Sequence, residues 1–213
     1  QLKQNYYVKV ALLIDSGVWD LYFSRESFVH PTSKSDEVKR KIREAYSHIM
    51  NGVNLRYKSI DDPNLSITVI PKTFIFFLHE ELFPHKHSKV IIENGKKYVD
   101  AKPYLDDIYN WDRTIGVNLL PQFDIAMLFT THILYDGSIT KHSIEGMSYF
   151  QGVCDTGARS LVVQARYYQR TVQTATHELA HSLGADHDGV GDAIACKSED
   201  FFIMASHTPH INK

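Results

Sequence analysis

The chain has 213 residues, of which 43% are hydrophobic and 23% are charged, and its formal net charge is −2. This composition is typical of one sizeable soluble globular domain with a buried core. The near balance of charge gives no electrostatic basis for binding nucleic acid or an anionic membrane, and no apolar run reaches transmembrane length. We therefore expect neither nucleic acid nor membrane insertion.

The N-terminal part of the chain predicts a strand followed by a helix. Residues 6–15 form an apolar run of strand length. In residues 35–50 the apolar side chains recur at helical spacing and charges occupy the other face. We place the N-cap of this helix at Ser35 and its end at Asn51 and Gly52.

The middle of the chain predicts a second strand, a turn and a second helix. Residues 65–77 read as a strand, in which Pro71 indicates a break or an edge position because proline lacks a backbone donor. A polar segment follows, with a turn around Asn94 and Gly95. Residues 101–117 read as the second helix, which starts near Pro103.

The C-terminal part continues the alternation of strands and helices. Three strands are predicted at 124–134, 145–155 and 159–165, and a third helix runs from about Tyr167 to Leu183. Strands that alternate with helices predict a sheet domain of the α/β or α+β class.

The segment "THELAHSLGADHD", residues 176–188, carries the strongest functional signal. His177 and His181 are four residues apart, so a helix projects both imidazoles from one face, as two ligands of one zinc ion require. Glu178 lies beside the first histidine, offset around the helix, and can reach a metal-bound water without ligating the metal. This is the HExxH arrangement of metalloproteases.

A third ligand is expected because catalytic zinc sites use three protein ligands and leave one position for water. Gly184 tolerates positive φ and can end the helix with a sharp turn. His187 then returns to the metal. On a continuous helix it would lie about 9 Å beyond His181 along the axis, at about 1.5 Å per residue.

Two plainer interpretations compete with a catalytic site. A histidine-rich helix end without metal would not require the full spacing of histidines, glutamate and glycine. A structural zinc site would leave Glu178 without a role, and no fourth protein ligand is evident.

The motif resembles the zinc signature of the metzincin metallopeptidases, and Asp188 directly after the third histidine is similar to their adamalysin or reprolysin branch. Metzincins carry a methionine turn beneath the zinc, and "FFIMAS" fits it with Met204. The resemblance implies an α+β metzincin-like catalytic domain with a mixed twisted sheet, an active-site helix ended by a glycine turn, and a following Met-turn. It implies one domain over 1–213, with an upper subdomain to about 184 and a short lower one over 185–213.

The resemblance also implies the activity. We expect a secreted, extracellular and monomeric zinc endopeptidase, similar to venom or salivary toxins, in which Glu178 is the general base on a zinc-bound water and Asp188 supports the ligands. The alternative is a toxin-like or adhesive binding module that keeps the fold with low turnover. A zinc hydrolase acting on a non-peptide substrate is a third possibility.

A substrate-binding edge strand is implied by the likeness of "GMSYFQGVCD" to a metzincin strand. Backbone groups along a free edge recognise any extended chain, and pockets add selectivity. An ordinary sheet strand is the plainer interpretation. The predicted strand comprises Gly146, Met147, Ser148, Tyr149, Phe150, Gln151 and Gly152.

Other features bear on processing and on structural metals. Lys9 stands where the family usually has an acidic calcium ligand, so a Ca²⁺ site is doubtful. Cys154 and Cys196 permit one disulfide or two free thiols, and Asn64 begins an N-glycosylation sequon. The N-terminal segment lacks the features of a signal peptide, so we expect a secreted protein to be represented here in processed form.

Overall fold

The computed structural model describes residues 3–27, 31–78, 88–116, 122–137, 142–153, 155 and 158–206. Within these ranges the chain forms a mixed α/β architecture of two sheets and four α-helices. No helix in the described ranges is long and apolar enough to cross a membrane.

The larger sheet has five strands, in the order β2 (Leu65–Phe76), β1 (Gln4–Ile14), β5 (Ile125–Thr130), β9 (Ser160–Gln164) and β8 (Gly146–Ser148). The first four are parallel to their neighbours, whereas β8 is antiparallel to β9. Every residue of β5 and β9 is buried, as expected for central parallel strands that are covered on both faces.

The smaller sheet has four strands, in the order β3 (Val90–Glu93), β4 (Lys96–Asp100), β6 (Ile133–Asp136) and β7 (His142–Ile144). A tight hairpin joins β3 to β4 through Asn94 (φ 50°) and Gly95 (φ 73°). Two successive residues with positive φ define the turn type that matches the twist of a hairpin. The turn predicted at these two residues is confirmed.

The four helices are α1 (Ser16–Arg25), α2 (Pro31–Lys58), α3 (Ala101–Trp111) and α4 (Tyr168–Ser182). Two apolar clusters lie on opposite faces of the larger sheet. Val10, Leu12 and Ile14 of β1 join the cluster that includes α1, α2 and α4. Ala11 and Leu13 join the cluster that includes α3. Side-chain alternation along one strand therefore divides the core into two layers.

Helix α2 is longer than predicted, running from Pro31 to Lys58 instead of over 35–50. Proline is well tolerated at a first helical position, so the N-cap prediction at Ser35 is wrong. Gly52 does not end the helix. A Cβ there would lie 2.9 Å from the Tyr168 hydroxyl and from a methyl of Val172, so this glycine allows α4 to pack closely on α2.

Two further differences concern the chain around the sheet ends. Helix α1 was not predicted, although Asp15 caps it by accepting a hydrogen bond from the Val18 backbone N–H at 2.9 Å. The single strand predicted at 124–134 is wrong, because β5 ends at Thr130 and β6 begins in the other sheet. The Thr130 hydroxyl accepts a hydrogen bond from the His132 backbone N–H at this corner.

The observed positions of Pro71 and of the second helix agree more closely with the sequence predictions. Strand β2 is an edge of the larger sheet and its register against β1 shifts next to Pro71, so the edge prediction is confirmed. Helix α3 begins at Ala101, where the Asp100 side chain caps it, and gives way to a π-helical turn over Asp112–Gly116.

Candidate metal centre and active site

Helix α4 positions the histidine motif. Its buried face carries Val172, Ala175 and Leu179, which belong to the core under the larger sheet. His177 and His181 are only partly buried. The helix is therefore fixed by apolar packing on one side while it presents both imidazoles on the other.

The helix ends in a Schellman motif. The Ala185 N–H donates to the Ala180 carbonyl at 2.9 Å, and the Gly184 N–H donates to the His181 carbonyl at 2.9 Å. Gly184 has φ +97°, which glycine adopts without the steric cost that a Cβ imposes. The chain reverses here and returns His187 to the helix.

Replacing Gly184 with alanine should therefore weaken the metal centre. Positive φ costs an alanine about 1–2 kcal/mol, and its Cβ would lie 3.2 Å from Gln151 Cγ. We expect a lower melting temperature and weaker zinc retention during dialysis against a chelator. Gly95→Ala is the matched control, since Gly95 has φ +73° with nothing within 4 Å of a Cβ. Equal zinc retention in the two variants would contradict this role for the turn.

The three histidine side chains converge on one point. His181 Nε2 lies 3.0 Å from both His177 Nε2 and His187 Nε2, and the last two atoms are 3.2 Å apart. Three residues separated by up to ten positions thus offer three nitrogens to one small volume.

Backbone carbonyls set the tautomers of two of these rings. His177 Nδ1 lies 2.7 Å from the Ile203 carbonyl and His181 Nδ1 lies 2.8 Å from the Ala185 carbonyl. A carbonyl oxygen only accepts, so each Nδ1 carries the hydrogen and each Nε2 presents a lone pair. Burial lowers the pKa of His177 to about 4, opposed by the hydrogen bond to Ile203 and reinforced by the other two histidines. The His177 ring is therefore neutral, as a metal ligand must be.

The nitrogen cluster fits a divalent metal. Facing lone pairs repel one another unless a cation lies between them. With Zn–N bonds of about 2.0–2.1 Å, a tetrahedral zinc ion holds its ligand nitrogens about 3.3 Å apart, close to the separations found here. In the described part of the chain, these histidines are the only group of at least three His, Cys, Asp or Glu side chains arranged to hold a metal ion.

The segment around Met204 lies against this cluster through its backbone. The Ile203 carbonyl contacts His177, and the Met204 carbonyl accepts a hydrogen bond from the Asp188 N–H at 2.9 Å. Asp188 is 6% exposed, and its Oδ2 has no hydrogen-bond partner. The segment named as the Met-turn is thus joined to the first histidine and to the residue after the third.

Glu178 lies beside the histidines and against strand β8. Its side chain is 7% exposed, and the Ser148 hydroxyl donates to Oε2 at 2.9 Å. Burial raises the pKa of Glu178 to about 7, and the Ser148 hydrogen bond acts in the opposite direction. A Cβ on Gly146 would lie 2.6 Å from Glu178 Cγ. Sequence reasoning placed Gly146 and Ser148 in the substrate strand but missed their contact with Glu178, for which the sequence carries no local signal.

The strand that we predicted to bind substrate is shorter than expected. Strand β8 covers only Gly146–Ser148 and forms an edge of the larger sheet. After Tyr149 the chain turns, because Gln151 (φ 56°) donates its N–H to the His181 carbonyl and Val153 donates to the Ser182 carbonyl. The end of α4 therefore terminates the strand and holds the following turn.

Three sequence predictions lie away from this centre. Asn64 is exposed in the loop before β2, where a glycan would have access, and its glycosylation stays a prediction. Cys196 is exposed and forms no disulfide with a described residue. Cys154 lies outside the described residues, so the disulfide between the two also stays a prediction.

Comparisons with known proteins agree on the family. A model of the metallo-peptidase family M12B, reprolysin-like, matches residues 43–188. The chain is 27% identical to venom metalloproteinase BumaMPs1 of Olivierus martensii, covering 87% of this chain and 47% of the relative. It is 25% identical to venom metalloproteinase 3 of Eulophus pennicornis, covering 86% and 40%. The chain thus spans less than half the length of these two relatives.

A shorter relative and a solved structure extend the comparison. Snake venom metalloproteinase trimerelysin-2 of Protobothrops flavoviridis is 26% identical, over 91% of this chain and 77% of its own. The crystal structure of metalloproteinase-II from Bacteroides fragilis matches with a TM-score of 0.50 at 12% identity, covering 89% of this chain and 46% of that one. At this identity the structural match shows the fold alone.

Proposed function

The chain belongs to the M12B family of reprolysin-like metallopeptidases, and on this premise we propose that it is a secreted zinc endopeptidase that hydrolyses protein substrates with Glu178 as general base. The observation that carries the proposal is that Glu178, the neighbour of His177 on α4, contacts the edge strand β8 through Ser148 and Gly146, while three histidine Nε2 atoms converge beside it in the motif. The venom metalloproteinases among its relatives support secretion.

His177, His181 and His187 would hold the zinc ion through Nε2. Zinc, when bound, supplies a Lewis acid that polarises the scissile carbonyl and lowers the pKa of a coordinated water. The Ile203 and Ala185 carbonyls orient the first two rings, which keeps the ligand lone pairs aligned without metal-induced rearrangement.

Strand β8 would hold the substrate. It pairs with β9 along one edge, and no described strand pairs with its other edge. An extended peptide can therefore add to the sheet through backbone hydrogen bonds. Because Ser148 and Gly146 both contact Glu178, a peptide bound along this edge passes the carboxylate.

Glu178 would move the proton. Its Oε2 is held by the Ser148 hydroxyl, which leaves Oε1 to take the proton of the attacking water. The same atom then delivers the proton to the amine of the leaving peptide. Burial of the side chain strengthens these interactions because little water screens them.

The experiment that tests the function combines elemental analysis with cleavage of a fluorogenic peptide library. We expect one zinc ion per chain and cleavage that is abolished by a chelator and restored by added zinc. One zinc ion without cleavage of any library member would favour the alternative binding module with low turnover. Absence of zinc would contradict the metal assignment.

Removing the Ser148 hydroxyl should shift the pH profile. Its hydrogen bond lowers the pKa of Glu178, so Ser148→Ala raises that pKa. More Glu178 is then protonated at a given acidic pH and cannot act as base. We expect the acidic limb of the pH profile of kcat/KM to shift to higher pH by about one unit. This is the effect of losing one charge-assisted hydrogen bond. Ser148→Thr keeps a hydroxyl and should restore the limb. An unchanged limb in Ser148→Ala would contradict the contact.

A further inference from the structure

A second cleft lies at the opposite end of α4 from the histidines. It encloses about 740 Å³ between α1, α2 and the first turn of α4, a volume within the range of about 300–1,000 Å³ for small-molecule sites. Leu21, Ala45, Ile49 and Ala165 contribute apolar surface. The proposed peptidase mechanism uses none of these residues.

Two guanidinium groups lie among the polar residues that line this cleft. Arg25, His48 and Arg166 line it, and no carboxylate is among its described lining residues. Arg25 makes no ion pair with a described residue. Arg166 lies 3.6 Å from Glu145 Oε1, while the other oxygen of Glu145 is bound at 2.5 Å by Arg170. The contact of Arg166 with Glu145 is therefore long, and Arg25 brings an unpaired guanidinium to the cleft.

A largely buried tyrosine presents a hydroxyl without a described partner to the same space. Tyr46 lines the cleft and is 3% exposed, and its ring packs on Phe129. Its hydroxyl makes no hydrogen bond with any described residue. The hydroxyl is reachable from the cleft, so a ligand atom that accepts its hydrogen would form a hydrogen bond in a place with little solvent.

Tyr22 and Arg25 of α1 line the same cleft as the Tyr46 hydroxyl. Burial raises the pKa of Tyr22, and the charge of Arg25 acts in the opposite direction, which places the guanidinium close to that phenol.

The N-terminus of α4 is a further source of positive potential at the cleft. Tyr167 and Thr171 line the cleft, and Tyr167 provides no side-chain cap to the helix N-terminus. Uncapped N–H groups and the helix dipole both favour an anion.

We propose that this cleft binds a small amphipathic carboxylate, whose anionic head meets Arg25, Arg166 and the Tyr46 hydroxyl while its apolar body lies along Leu21 and Ile49. An anion satisfies the unpaired guanidinium and accepts the hydrogen of the buried phenol. The apolar body replaces water on the hydrocarbon walls. The proposal does not depend on the peptidase function, because the site shares no residue with it.

Calorimetric titration of the zinc-loaded protein with octanoate, 1-octanol and octyltrimethylammonium tests the proposal. We expect octanoate to bind at least about tenfold more tightly than the neutral and cationic probes. Arg25→Gln and Tyr46→Phe should each weaken octanoate binding by about tenfold, the effect of losing one hydrogen bond or charge contact to an anion. Tyr46→Phe removes only an unpartnered hydroxyl, so its melting temperature should equal that of the wild type.

Two matched variants control for surface effects. Arg40→Gln changes an exposed arginine of α2 that pairs with Glu37 and Glu44, and Tyr7→Phe changes an exposed tyrosine of β1. Both should bind octanoate as the wild type does. Absence of octanoate binding at millimolar concentration, or equal affinity for octanol, overturns the proposal. Binding that Arg25→Gln and Tyr46→Phe leave unchanged also overturns it, since a carboxylate held at the histidines would behave in that way.

Discussion

Glu178→Gln is expected to lower kcat/KM by about 10³-fold or more while one zinc ion per chain remains. General acid–base catalysis contributes about 10²–10⁴-fold, and glutamine cannot take the proton at Oε1. The substitution keeps the size of the side chain and lets the Ser148 hydroxyl donate to the amide oxygen. The three histidines are untouched, so the metal content should not change. Cleavage of a fluorogenic peptide and elemental analysis measure both quantities.

The control for this variant is Glu44→Gln. Glu44 lies on the exposed face of α2, where it pairs with Arg40 at 3.0 Å, and exposed pairs contribute about 0–1 kcal/mol. Its activity should equal that of the wild type. If Glu178→Gln retained more than about a tenth of wild-type activity, general-base catalysis by this carboxylate would be ruled out.

Gly146→Ala is expected to lower kcat/KM by about 10²-fold without loss of zinc. The new Cβ would lie 2.6 Å from Glu178 Cγ, 2.8 Å from Glu178 Oε1 and 2.9 Å from Thr174 Cγ2. Contacts this short force the carboxylate or strand β8 to move. A misplacement of about 1 Å at a catalytic group can cost about 10²-fold. Activity, zinc content and melting temperature should be measured together.

Gly95→Ala is the control for this variant too, because it replaces a glycine in open space in the β3–β4 hairpin. It should lose some stability from its positive φ and keep full activity. If Gly146→Ala were as active as Gly95→Ala, the close approach of β8 to Glu178 would have no catalytic role. A fall in zinc content would instead indicate that α4 itself had shifted.

The local patterns in the sequence predicted the elements that depend on local physics. The hairpin turn at Asn94 and Gly95 follows from their tolerance of positive φ, and the edge position of Pro71 follows from its missing donor. The apolar runs at residues 10–14 of β1 and 125–129 of β5 indicate strands that are covered on both faces, and these residues are buried. Helix bounds were less predictable. Gly52 reads as a stop but lies inside α2, because contact with α4 favours a residue without a side chain there.

By itself the sequence determined the candidate metal-binding set, because the spacing of His177, His181, Gly184 and His187 fixes which side chains one helix and one turn can bring together. It also indicated the family, because the residues that resemble the zinc signature of that family all lie within one short segment. Only the tertiary structure decided what surrounds Glu178. Gly146 and Ser148 reach the carboxylate from more than 25 positions earlier in the chain through the antiparallel pairing of β8 with β9. The cleft around Tyr46 was likewise decided by packing, since its lining residues come from three separate segments that no local pattern connects.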